Sequence, residues 1–469
     1  MQVPHNAQTP ALVQMIQWIG NPFAVMERCA SQYGDVFALP VGDRLSPIVF
    51  VHHPEALQEI LSNDTKQFSA PGELNQTFLP FLGTNSLILL SGAAHRRQRQ
   101  LLMPPFHGER MRSYGQAIRD ITQQVMQTWQ PGQPFSARLA MQTISMRVIL
   151  KTIFGLTEGL RYQQLETLVG AIMDGMSSPL GAALLYFPAL QRDVGPLSPW
   201  SLFLRRRQQI DDLIYAEIQD RRDHPDASRT DILAMLMAAR DEAGQPMTDV
   251  ELRDELMTLL TAGHETTATA MTWALYWIHK LPEVKARLRQ ELADLGPDPD
   301  PTAVMRLPYL SAVCSETLRI YPVGMLTFPR VPQRNCNLMG YELEAGTLLL
   351  GCIYLLHQRP DLYPEPRQFR PERFLERQFS PYEFMPFGGG SRRCIGMAFA
   401  LFEMQVALAT MLSQVELSLA SQRSVKPIRR GLVSGPSTVD LVLTGNRLSA
   451  SAAFPTLAPD KLAMDKQTV

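Results

Sequence analysis

Phe387-Gly388-Gly389-Gly390-Ser391-Arg392-Arg393-Cys394-Ile395-Gly396 sets one cysteine in a glycine-rich loop, behind two arginines and ahead of a long apolar run. Glycine has no Cβ, so backbone in such a loop can take unusual dihedrals and come close to a flat ligand. Arg392 and Arg393 favour the ionised Cys394 sulfur, and the start of the following helix adds a field of the same sign. Backbone N–H groups near the sulfur would temper its charge. A soft anionic sulfur with one ligand position suits haem iron. A buried, inert thiol is the commoner fate of a free cysteine.

A second stretch lies upstream. Thr248-Asp249-Val250-Glu251 reads as a capping box that starts a helix, and Pro282 reads as its stop. The helix between them is about 32 residues, hence roughly 48 Å long, enough to cross a whole domain. It is apolar for most of its second half, so it is expected to be buried on most sides. Ala262-Gly263-His264-Glu265-Thr266-Thr267 interrupts it. Polar groups in a buried helix cost free energy unless something uses them. Threonine hydroxyls there can bond the carbonyl of the preceding turn.

The first stretch matches F-x-x-G-x-R-x-C-x-G and the second matches A-G-x-[DE]-T-[TS]. On both, the chain resembles the cytochrome P-450 family, and the likeness covers nearly all of it. The resemblance implies a role for each matched residue. Cys394 would be the axial ligand of haem b, with Phe387 packed by the sulfur, Gly396 completing the loop and Arg392 reaching a haem propionate. Thr266 would hold a water or dioxygen and Glu265 would relay protons from solvent, while Ala262 and Gly263 leave room for oxygen. His264 is no motif position and reads as structural. In Gly92-Ala93-Ala94-His95-Arg96-Arg97-Gln98-Arg99 the family usually has Trp-x-x-x-Arg, both touching a propionate. Here His95 stands where the Trp would be, with Arg99 four residues on and on the same helix face. Arg330 matches the family's other propionate arginine.

Glu316-Thr317-Leu318-Arg319 is a weak signal alone, since an i, i+3 pair on a helix surface is worth only tenths of a kcal/mol. It gains weight because Phe369-Arg370-Pro371-Glu372-Arg373-Phe374 lies at the family's distance before the cysteine. Glu316, Arg319 and Arg373 are expected to form a buried structural charge network.

The implied fold class is mainly α with small β-sheets (α+β), with haem between the long helix and the helix after the cysteine loop. The 469 residues show no linker, repeat or composition break, so one domain over 1–469 is expected. It would have a strand-rich lobe near 35–60 and 325–355, a helix-rich lobe over 90–320, the loop 387–396 and a mobile tail from 447 to 469. Residues 11–33 read as one amphipathic helix, 35–41 and 47–51 as strands, 54–61 as a helix, and 347–355 and 439–444 as strands. Residues 69–90 read as an apolar irregular stretch, which the resemblance implies is a loop over the distal haem face, and the proline-broken 177–200 either matches the family's access lid or is an ordinary core-covering loop.

A formal net charge of −1 argues against a nucleic-acid partner. Five cysteines without C-x-x-C spacing fit a reducing cytoplasm. The start of the sequence has no basic stretch before an apolar core, and no later run reaches ~20 uncharged apolar residues, so neither signal peptide nor transmembrane anchor is expected. Peripheral membrane contact stays open. A monomer is expected.

The resemblance implies a monooxygenase: one atom of O₂ enters a C–H bond and the other becomes water. Two electrons would come from a separate ferredoxin or flavodoxin system, docking on a basic face of Arg96, Arg97 and Arg393. Apolar cavity candidates Phe78, Phe81, Met257, Leu260, Leu326 and Val433 favour a lipophilic small-molecule substrate, a long-chain fatty acid first and a terpenoid second. The alternatives are a haem-thiolate isomerase or peroxide-using enzyme, and a haem sensor or carrier. The Glu265-Thr266 pair argues against both.

Overall fold

Thr248 opens the helix around which the other elements are packed. Glu251 N–H donates to Thr248 Oγ1 at 3.2 Å and Thr248 N–H donates back to Glu251 Oε2 at 2.7 Å, closing the capping box. The helix then runs Asp249–Lys280 without a break and ends at Leu281, before Pro282. The computed structural model describes residues 9–42, 46–106, 110–177, 191–195, 198–296, 300–431 and 433–446. The tail from 447 and most of the expected lid, 178–190 and 196–197, fall outside them.

The expected burial holds. Met271, Trp273, Ala274 and Leu275 are wholly inaccessible. Ala137–Phe154 packs along one side of the long helix, and Met397–Gln414, the helix after the cysteine loop, along another. Leu160–Ser177 and Pro199–Asp223 cover it further out. Met397–Gln414 is long and apolar enough to cross a membrane by length and composition, yet 67% of it is buried in the protein.

The strands form small sheets at the margins. Val36–Leu39 pairs antiparallel with Ile48–Val51, which pairs in parallel with Leu349–Gly351. Three of the strands expected from sequence thus share one sheet. Asp440–Asn446 pairs with Val415–Leu419 on one side and Pro134–Ser136 on the other. Pro427–Arg430 and Val433–Pro436 form a hairpin that the sequence did not reveal.

Two boundaries differ from expectation. Residues 11–33 form two helices, Ala11–Gly20 and Pro22–Tyr33. Asn21 accepts the Ala24 N–H at 3.2 Å and Pro22 occupies the first helical position, so a new helix starts there. The strand expected over 347–355 ends at Gly351, and Ile353–His357 is helical.

The charge network is buried as expected. Glu316 and Arg319 are inaccessible and Arg373 nearly so. Arg319 donates to both Glu316 oxygens, at 2.6 and 2.9 Å, and Arg373 Nε donates to Oε1 at 3.1 Å. The Arg370 N–H adds a bond to the same oxygen at 2.8 Å. The remaining guanidinium donors go to carbonyls, Arg319 to His357 O at 2.8 Å and Arg373 to Pro364 O at 3.2 Å. The network therefore fastens Pro308–Ile320 to the segment leading to the cysteine loop. Removing the one acid strands two cations in a dry interior, a loss of about 3–5 kcal/mol. Glu316→Ala is expected to lower the melting temperature sharply and the yield of folded protein with it. A melting curve matching the wild type would show that the network is dispensable.

Candidate active site

Cys394 is exposed by surface area, yet burial is the first influence on its thiol and pushes the pKa up. The two facts together put the sulfur on the wall of an interior cleft. The Gly396 N–H, Arg99 and Arg393 pull in the opposite direction. The loop is held from within: Cys394 N–H donates to Phe387 O at 3.0 Å, and Gly396 precedes the helix as its cap. Gly390 has a φ of +66°, and a Cβ there would lie 2.3 Å from Asp64 Oδ2. Asp64 uses that space, accepting from the Ser391 N–H at 2.8 Å and Ser391 Oγ at 2.9 Å.

The long helix supplies another accessible strip. Ala262 is exposed and Thr266, one turn on, is half-buried, whereas Ala268, Met271 and Trp273 are buried. Thr266 Oγ1 donates to Ala262 O at 2.6 Å. Glu265 points elsewhere. Arg138 Nη2 donates to its Oε1 at 2.9 Å and Gln142 Nε2 to its Oε2 at 2.6 Å, both from Ala137–Phe154. Gly263 does not open the cleft as expected. A Cβ there would lie 2.3 Å from Ile149 Cδ1, so its bareness admits the neighbouring helix. His264 is buried with Nε2 3.2 Å from Gln142 O, and is structural as expected.

Three arginines and a histidine converge beside the cysteine loop. Arg392 is buried and donates to Ala70 O at 2.6 Å, Leu87 O at 2.8 Å and Leu90 O at 2.5 Å. Arg330 is 1% exposed and engages Asp64 at 2.8 Å and Gly389 O at 3.0 Å. Arg99 Nη1 donates to Arg393 O at 2.7 Å. Burial and then Arg330 push the Arg392 pKa down to about 10. His95 is buried among them. Burial first, then Arg392, Arg99, Arg330 and Arg96, push its pKa down to about 4, so it is a neutral imidazole at pH 7. Arg330 and Arg392 make these bonds within the fold and add a positive field beside the cysteine loop.

This donor set fits haem. Cys394 offers a soft sulfur that solvent can reach, Ala262 is a small accessible position on the long helix, and three cations gather beside the cysteine loop.

Several contributors escaped the sequence reading. Asp254, Glu255 and Thr258 pin the 83–90 segment to the long helix. Asn85 N–H donates to Asp254 Oδ2 at 2.8 Å, Leu87 N–H to Glu255 Oε1 at 2.8 Å, and Thr258 Oγ1 to Ser86 Oγ at 2.7 Å. Two adjacent acids early in a helix read as buried were the available signal. Of the basic docking face, Arg96 and Arg393 are exposed, but Arg97 is paired at 2.6 Å with both Asp241 and Glu251 and drops out.

A pocket opens on the long helix at Met257, Leu260 and Thr261, and Phe81 closes it with Met173 and Phe203. Three of the six cavity candidates, Phe81, Met257 and Leu260, line it. Phe78 instead meets Phe328 edge-on at 6.4 Å, and Leu326 bridges to Cys352.

The family profile described as Cytochrome P450 matches residues 4–443. A Mycobacterium tuberculosis protein designated cytochrome P450 135B1 is 36% identical over 437 residues, 93% of this chain and 90% of the relative. Another from that organism, designated cytochrome P450 135A1, is 31% identical over 443 residues, 92% of this chain and 93% of the relative. Cyanobacterial CYP120A1, solved with retinoic acid bound, superposes with a TM-score of 0.80 at 24% identity, covering 95% of this chain and 100% of that one. Fold and sequence together define a haem-thiolate monooxygenase with haem as its cofactor. The chain belongs to the cytochrome P450 family.

The depressed His95 pKa has a thermodynamic sign. Unfolded, the imidazole takes a proton below about 6.5, whereas folded it stays neutral down to about 4. Between those values the unfolded state binds more protons, so stability is full above the window and is lost as pH falls through it. His279, also pushed to about 4 by burial, acts in the same direction. The melting temperature should drop between pH 6.5 and 4, with a shallower slope in His95→Asn. An unchanged slope would mean that His95 is protonated in the folded state.

Proposed function

We propose that Cys394 holds the haem iron and that the enzyme hydroxylates an elongated lipophilic substrate bound between the long helix and Phe81. The observation that carries this reading is the position of the pocket. It ends at Thr261, the residue before the exposed Ala262, one turn from Thr266. A long-chain fatty acid is the first candidate. The mycobacterial relatives are named for their family and carry no substrate in their names. The retinoic acid in the cyanobacterial neighbour supports an isoprenoid acid as the second reading.

Haem, when bound, supplies the reductive activation of O₂. The residues of this chain place the groups around it. Cys394 offers the sulfur, with the Gly396 N–H and Arg99 moderating its charge. Arg99, with the field of Arg330 and Arg392, would face the propionates, and neutral His95 has an N–H to give. Phe387 would pack by the sulfur. Thr266 carries a hydroxyl proton at Oγ1 on the cleft. Its bond to Ala262 O leaves the oxygen lone pairs able to accept from a water. Glu265 sits one residue away, tethered by Arg138 and Gln142, and would bring protons inward on leaving them. Electrons would arrive from a separate ferredoxin or flavodoxin, guided by Arg96 and Arg393. The protein would act as a single-domain cytoplasmic monomer.

Cys394→Ala is expected to abolish the red-shifted Soret band of the reduced carbon-monoxide complex. Retention of that band would assign the ligand elsewhere. Thr266→Ala should leave substrate binding unchanged but divert reducing equivalents into hydrogen peroxide. Loss of a charge-assisted hydrogen bond corresponds to a roughly ten- to hundredfold change in partition. Product formed per NAD(P)H consumed, with peroxide assayed in parallel, measures it. Unchanged coupling would remove Thr266 from proton delivery.

A further inference from the structure

The pocket on the long helix has one charged side chain in its wall. Arg207, from Pro199–Asp223, stands among Phe81, Met173, Phe203, Met257 and Thr261. The two carboxylates nearest to it already accept hydrogen bonds from other donors. Arg253 is buried and gives Nε to Asp211 Oδ1 at 2.7 Å and Nη1 to Asp254 Oδ1 at 2.8 Å. Asn85 gives its N–H and Nδ2 to Asp254 Oδ2, at 2.8 and 3.0 Å. Both aspartates are therefore held by other donors. The Arg207 Nε lies 3.6 Å from Asp211 Oδ2, beyond hydrogen-bond reach, and makes no hydrogen bond. Solvent reaches 28% of this side chain but only 4% of Met257 and 5% of Phe81. The cation thus sits toward the open end of an apolar slot. Burial first and Arg253 next lower its pKa, against the opposite pull of Asp211 and Asp254.

We propose that Arg207 receives the carboxylate of an elongated apolar acid whose chain runs along Phe81, Met257 and Thr261 toward Ala262. The proposal rests on the reading of this pocket as the substrate site of a monooxygenase. One planar guanidinium matches one carboxylate. A phosphate dianion would bring more charge than this slot compensates. Met257 and Thr266 are nine residues apart on an unbroken helix, roughly 14 Å. A molecule anchored at Arg207 must therefore be long to reach the cleft, and oxidation would fall far from its carboxylate.

The test uses the haem-loaded enzyme, titrated with hexadecanoic acid and with its methyl ester and read by the shift of the haem absorbance. Wild type is expected to bind the acid roughly ten- to a hundredfold more tightly than the ester. Arg207→Gln and Arg207→Met should abolish that preference while keeping ester affinity, and Arg207→Lys should retain much of it. Wild type showing no preference for the acid, or a preference that survives in the Gln and Met variants, would overturn the assignment. Equal weakening of acid and ester would do the same, since it marks a packing role. Oxygen-dependent hydroxylation of hexadecanoic acid is assayed alongside. Binding that depends on Arg207 without product sinks the proposed substrate reaction but leaves the anchor. Product without that dependence sinks the anchor alone.

Discussion

Arg392 ties the site together. Its guanidinium is buried and satisfied by the carbonyls of Ala70, Leu87 and Leu90, so the cysteine loop is fixed to a segment more than three hundred residues earlier in the chain. That segment is itself held by Asp254, Glu255 and Thr258 of the long helix. The result is a closed circuit from helix to segment to loop, with charged or polar bonds at each joint. Buried charged groups that lose a partner are costly, so such a circuit holds as a unit or fails as one. The Glu316 network closes the other side by joining Pro308–Ile320 to the segment before the loop. Between these two anchorages the positions of Cys394 and Ala262 are set by bonds far from either residue.

The same circuit explains the electrostatics. Burial first, and then the arginines that stabilise the fold, keep His95 neutral, and the arginines leave a local excess of positive charge. A cofactor carrying carboxylates meets that charge at low reorganisation cost, because the cations are held in advance. Structural and binding roles would therefore overlap in the same side chains.

Much of this was legible in the sequence where residues act locally. The capping box at Thr248, the stop at Pro282 and the glycine-rich approach to Cys394 depend on neighbours a few positions away. The break at Asn21-Pro22 was equally local but was overridden in reading by a continuous apolar pattern. The hairpin of Pro427–Arg430 and Val433–Pro436 was hidden because short strands carry little periodicity. The roles of Asp254, Glu255 and Arg138 were invisible for another reason. Their partners lie on elements far away in sequence, and a charge in a helix shows its sign without showing what it faces. Gly263 illustrates the difference best. Its smallness was evident, but the direction in which space was needed came only from the packing of Ile149.

That contact has a mechanical consequence. With Ile149 seated where a side chain would otherwise stand, the long helix and Ala137–Phe154 are indexed to one another like a pin in a notch. Sliding or turning the long helix would drive backbone or a bulkier neighbour into the isoleucine, and close-packed interiors resist such displacement. The tether from Arg138 and Gln142 to Glu265 lies two residues from the notch, on the same pair of helices. Any movement of Glu265 would thereby be confined to its own side-chain torsions, and Thr266 would keep its place on the long helix.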